Sequence, residues 1–170
     1  MQLDIYRSIR DISASDWDHW FGGDYPFLRH DFLLGLEDTG CTTEDSGWAP
    51  HHMVLRDGSK VVGAAPGFLK EHSYGEYVFD WAWADAYQRH GLNYYPKAVS
   101  AVPFTPVPGS RLLADSDQSK SALLSAMVEL AQNEDWSSLH LLFLSNDDLQ
   151  VTETAGWLSR HTVQFHWHNA

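Results

Sequence analysis

The chain has 170 residues, enough to bury a sizeable core, and its 44% apolar and 14% aromatic content excludes a disordered protein. Its net charge is −12, and protonating all 10 histidines would still leave it at −2, which sets this segment against a phosphate backbone and so against nucleic-acid binding. The lone Cys41 excludes an intramolecular disulfide and a cysteine-built zinc site. No apolar stretch follows MQLDIYRSIRD as a signal peptide would require, and no run of about 18 apolar residues occurs, so a cytoplasmic chain without a membrane partner is expected.

Leu3 to Ser8 alternates and predicts a first strand. Ser13 or Ser15 caps a short helix that carries Trp17, Trp20 and Phe21 and stops at Gly22-Gly23. A second helix is expected from about Phe27 to Asp38, after Pro26 and before Gly40. Residues 41–47 form a polar loop. His51 to Arg56 and Lys60 to Leu69 are extended runs joined at Asp57-Gly58, a hairpin signature. Tyr77 to Trp81 is expected as a strand, followed by one helix ending at Gly91 and a second short helix over Leu92 to Val102. Pro103, Pro106 and Pro108 hold an extended loop, and Arg111 to Ala114 is a short strand. Helix is expected over Gln118 to Asn133, a buried strand over Ser138 to Leu144, a helix over Asp147 to Ala155, and an extended segment over Trp157 to Trp167. Strands alternating with helices, plus one early hairpin, predict a single three-layer α/β domain over residues 1–170 on a mixed, largely antiparallel sheet.

The run at 77 to 85 is the leading site candidate. As a strand it would put Tyr77, Phe79, Trp81 and Trp83 on one face and Asp80 among small residues on the other, with Asp85 close by. Beside such aromatics, a carboxylate with a raised pKa would serve as general base for an attacking amine. The alternative is that Ala82 and Ala84 let a helix approach while Asp80 pairs structurally. The histidines do not assemble a metal site: His51 and His52 would point to opposite faces, and His166 and His168 share a face but lack a third ligand. Nucleophilic catalysis is equally unsupported, since no Gly-x-Ser-x-Gly turn exists.

The runs SYGEYVFDWAWADAY (73–87), YYPK (94–97) and PFTPV (103–107), with PFLRH (26–30), HMVLRDGSKVVGAAP (52–66), SSLHLLF (137–143) and QFHWHN (164–169), resemble a FemAB-like, peptidoglycan biosynthesis/recognition family of the GNAT acyltransferase superfamily. The resemblance implies a GNAT-like fold and amide formation on an amine acceptor, as FemAB-type enzymes transfer an amino acid from aminoacyl-tRNA onto a peptidoglycan precursor. It implies that Arg29 and His30 line the acceptor side, and that Trp81, Trp83, Tyr94, Lys97, Phe104 and Thr105 join them around Asp80 and Asp85. For Arg29 an ion pair with Glu37 or Asp31 is the competing role, and for Lys97 a solvated one. The nearest match to the GNAT pyrophosphate turn, Gln88 to Asn93, ends on Asn and follows a helix, so Gly91 reads as a helix stop and no cofactor is expected. Family members run to roughly twice this length, so a second GNAT-like half is an expected partner. With that half missing, a homodimer through the C-terminal strand is expected as well. A non-catalytic recognition domain for a cell-wall precursor or a protein is the alternative function.

Overall fold

A computed structural model describes residues 1–21 and 25–168. The expected helix stop at Gly22-Gly23 lies outside them. Two four-stranded sheets carry the fold. The first has the order β1-β3-β4-β7 and is antiparallel throughout: β1 (Gln2–Tyr6), β3 (His52–Asp57), β4 (Lys60–Ala65) and β7 (Leu113–Ala114). The second has the order β2-β5-β6-β8: β2 (Trp48–Pro50), β5 (Phe68–Lys70), β6 (Lys97–Ser100) and β8 (Leu139–Leu141), of which only β6 and β8 run parallel.

Alternation in β3, and in β4 on either side of a bulge where the pairing shifts between Leu55 and Arg56, makes three layers. Val54 and Ala64 turn toward Trp17 of α1 (Ala14–Phe21) and Leu33 of α2 (His30–Asp38). Met53, Leu55, Val62 and Ala65 turn the other way, onto Leu123, Leu124 and Met127 of α4 (Asp117–Asn133). Both faces of one hairpin are therefore core. Trp17 is fixed further by its indole N–H, which donates to the Leu28 carbonyl at 2.7 Å. α4 starts on Ser116, whose hydroxyl accepts from the Ser119 amide, and α5 (Asn146–Thr154) starts on Ser145 in the same way.

The sequence places the hairpin at Asp57-Gly58, α4 and α5 within a residue or two of where they lie. Elsewhere the structure differs. The run from Lys60 to Leu69 divides between the two sheets at Pro66-Gly67. A side chain at Gly67 would put its Cβ 2.1 Å from the His51 carbonyl oxygen, so only glycine lets the chain pass there. The second helix begins at His30, because Arg29 is extended and Pro26–Leu28 forms a separate 3-10 turn. The expected helix over Leu92 to Val102 is instead β6, completely buried between β5 and β8. A short apolar run walled in on both sides has no periodicity to separate helix from strand. β2 goes unseen in the sequence because three residues carry too little pattern. β8 is half-buried, being the edge strand, and residues 157–168 form no regular element.

Candidate functional site

The site grows from a cross-strand pair. In the β5–β6 ladder Lys70 lies directly opposite Lys97, and both are fully buried. Two like charges so placed repel. The loop after β5 supplies the compensation. The Lys97 ammonium donates to Ser73 Oγ at 2.9 Å, Glu76 Oε2 at 2.8 Å and Asp80 Oδ2 at 2.5 Å. The Tyr94 hydroxyl donates to the same Asp80 oxygen at 2.7 Å, and the Ser73 and Tyr95 hydroxyls bond at 2.8 Å. Lys70 sits 3.7 Å above the Trp48 ring and donates to the Tyr74 carbonyl at 3.3 Å.

These contacts set the charge states. Burial drives Lys70 down to about 7, with Glu76 opposing and Lys97 adding to the fall. Burial also raises Glu76, against the pull of Lys97. For Asp80 burial alone would raise the pKa, but the hydrogen bonds from Lys97, Ser73 and Tyr94 hold it at about 2. Asp80 is therefore a firm anion. The raised-pKa base expected from the sequence is corrected here, for a carboxylate at about 2 takes up a proton poorly at neutral pH.

The backbone around Asp80 is corrected as well. Tyr77 and Phe79 have positive φ, 60° and 51°, so no strand runs through them. Helix α3 (Trp81–Arg89) begins just after Asp80 and ends at Gly91, whose φ of +70° makes it the stop. The faces expected for a strand thus do not exist. Instead Tyr74, Tyr77, Phe79, Trp81, Trp83 and Phe104 are all exposed, with Phe79 at 72% and Trp83 at 48%. No residue of α3 is buried. Tyr74 and Trp81 meet edge to face at 5.2 Å, and Phe104 packs on Trp48 at 5.2 Å and fits against Gly75. An aromatic surface therefore stands on a buried ionic base.

The structure joins Asp80, Tyr94 and Lys97 directly and sets Phe104 against the same loop. The Thr105 hydroxyl donates to the Pro103 carbonyl within its own loop. Asp85 is exposed on α3 and pairs with Arg89 at 3.2 Å, one turn on, rather than with Asp80. Arg29 is half-exposed beside Asp31 at 3.4 Å, and the His30 ring lies within hydrogen-bond distance of the Ile9 and Ile12 carbonyls. Lys97, with the solvated role as its competing reading, is fully buried. Sequence reasoning missed Lys70, Ser73 and Glu76, whereas Tyr95, expected with Tyr94 beside Lys97, does join the cluster through Ser73. Two lysines at the ends of short, mostly apolar strands were the available signal, but only the pairing of β5 with β6 brings them together. Two concavities, of about 250 and 180 Å³, lie apart from Asp80 and Asp85: Arg7, Glu44 and His51 line the first, Tyr6, Trp20 and Arg56 the second. Among the described residues no three metal-ligating side chains gather, and no helix is long and apolar enough to cross a membrane.

His140 on β8 faces this cluster, its ring 6.4 Å from that of Tyr94. Burial, followed by the Lys97 charge, lowers it to about 4. Its folded pKa lies below the unfolded one, so the unfolded chain binds more protons between the two values. Stability is then complete above the ordinary histidine value of 6.5 and is lost as pH falls toward 4. His52, buried and lowered, acts in the same direction, whereas the raised Glu76 opposes them over the carboxylate range. The melting temperature is therefore expected to drop from pH 7 to pH 5. His140→Gln should flatten that slope, by roughly 2 kcal/mol across the window.

The parallel β6–β8 pair beside an antiparallel hairpin, with helices on both faces of the first sheet, defines a mixed α/β, GNAT-like fold. A mutant form of TTHA1254 from Thermus thermophilus is similar over 100% of this chain and 99% of its own, with TM-score 0.51 and 14% identity. An acetyltransferase of Trypanosoma brucei gives TM-score 0.47 and 15% identity over 99% of each chain. Residues 8–170 match the FemAB-like family, described as peptidoglycan biosynthesis/recognition, and the chain belongs to that family. No curated protein matches it.

Proposed function

We propose that this chain is the acceptor-recognition part of a FemAB-like acyl- or aminoacyltransferase, one that joins an amino acid or acyl group to an amine of a peptidoglycan precursor in the cytoplasm. The exposed aromatic surface from Tyr74 to Trp83, fixed from beneath by the Lys97–Glu76–Asp80 cluster, carries this reading. Planar side chains on a rigid base contact sugar and peptide faces at little entropic cost. Catalysis would then rest on holding the amine beside an activated ester, with Asp80 setting the surface rather than moving the proton. Coenzyme A is not the expected donor. The helix that follows β7 opens on Asp115-Ser116-Asp117, whose carboxylates repel a pyrophosphate, and Ser116 already occupies the Ser119 amide.

Tryptophan fluorescence during titration with soluble muropeptides tests the proposal. Trp81→Ala and Trp83→Ala are each expected to weaken binding about tenfold or more with the melting temperature unchanged. Titrations in which both variants bind like the parent would remove the aromatic surface from the site. Recognition without catalysis is the second reading, favoured by the firmly ionised Asp80. Muropeptide binding without transfer from aminoacyl-tRNA would select it.

A further inference from the structure

We propose that two copies of this chain pair by reciprocal strand addition, the segment 162–168 of each lying along the free edge of β8 in the other. This is independent of the catalytic reading. The receptor edge follows from the β6–β8 ladder. The Ala98 amide donates to the Ser138 carbonyl and the Leu142 amide to the Ser100 carbonyl, so residues 138, 140 and 142 turn their backbone toward β6. Leu139 and Leu141 turn theirs the other way, at the end of the sheet order, where β8 pairs with no further strand among the described residues; the Gly109 loop meets the chain past β8, at Phe143 and Ser145. An edge of this kind templates a further strand.

The donor is on the same chain. Val163, Phe165 and Trp167 alternate with Gln164, His166 and His168, which is strand periodicity. Phe165 is 97% and Trp167 83% exposed, and the stretch is tethered through Gln164, whose side chain donates to the Pro106 carbonyl at 2.8 Å. Beside β8, its apolar face would continue the one that Leu139 and Leu141 present to the α4 core. Charge favours a second copy as the occupant. Residues 157–168 hold Arg160, three histidines and no carboxylate, on a chain of net −12. The size is adequate too. Each aromatic brings about 150–250 Å², so two exchanged tails and the surfaces they cover pass the roughly 1,000 Å² of a specific interface. One donor and one receptor per copy close in a two-fold pair.

Sedimentation velocity across a wide concentration range, with hydrogen exchange at the Leu139 and Leu141 amides, tests this. The expected result is a dimer with both amides protected. Phe165→Pro and Trp167→Asp, at positions too exposed to matter for folding, should each raise the dimer Kd more than tenfold and deprotect the two amides. A monomer at all concentrations overturns the proposal, and protected amides in that monomer would place the segment on its own β8. A dimer that survives both substitutions, or an open polymer, overturns it equally.

Discussion

Lys97→Met is expected to destabilise the protein by about 3–5 kcal/mol, the usual consequence of leaving buried charge without its partner. The ammonium it removes touches Ser73, Glu76 and Asp80 in a place where neither carboxylate reaches water easily. Glu76 Oε1 and Asp80 Oδ1 are already buried without a hydrogen-bond partner, so the cluster has no reserve. Of the groups that hold Asp80, the two hydroxyls of Tyr94 and Ser73 would remain, and the cation would be gone. The signature is in the pH dependence as well as the size. In the variant both carboxylates would have folded pKa values above their unfolded ones, so they protonate first in the folded state and stability recovers as pH falls. That trend opposes the one His140 imposes on the parent. Urea unfolding at pH 8 and pH 5 measures both. A loss below about 1 kcal/mol, or a variant weakened further by acid, would mean that Lys97 does not hold this cluster together. Adding Glu76→Gln and Asp80→Asn to Lys97→Met should restore part of the loss, because neutral groups no longer demand a cation.

How much of this was legible in the sequence differs from element to element. The hairpin of β3 and β4 is written twice, once in its alternation and once in Asp57-Gly58, and two agreeing local signals are hard to misread. α4 is likewise long enough for its period to show. The 73–87 run was recognisable as distinctive, and it does hold the candidate site, but its conformation was misread. A stretch in which aromatics alternate with small residues looks like a strand, whereas the positive φ of Tyr77 and Phe79 breaks the strand without leaving a mark in that alternation. The fixing of Asp80 was invisible for a related reason. Its partner lies 17 residues away on β6, a strand whose sequence read as helix, and Lys70 enters only through the register of β5. Local pattern carried the frame. The chemistry of the site lives in long-range pairing, on which composition is silent.

Arg111→Met is expected to cost about 3 kcal/mol, through orphaned carbonyls more than lost charge. This guanidinium is fully buried, and its donors are distributed over several separate stretches of chain. Nε donates to the Leu142 carbonyl at 3.0 Å, Nη2 to the Val107 carbonyl at 2.7 Å, and Nη1 to the Ser110 carbonyl at 3.2 Å and the Tyr25 hydroxyl at 3.3 Å. The proline-rich loop, the end of β8 and the turn before α2 are thus gathered on one planar fork. Methionine would fill much of the volume but satisfy none of the acceptors. Arg111→Lys should recover less than half, because a single ammonium cannot reach acceptors spread about a rigid plane. The damage should also be local. The Gly109 amide donates to the Phe143 carbonyl and the Ser145 amide to the Gly109 carbonyl, so those two protons report on whether the loop still holds to β8. In Arg111→Met they are expected to exchange faster than the amides of β3, which lies between β1 and β4 in the first sheet. Denaturant unfolding with hydrogen exchange at these positions checks both statements. A variant within about 0.5 kcal/mol of the parent, with Gly109 and Ser145 still protected, would show that the loop is held by its prolines alone.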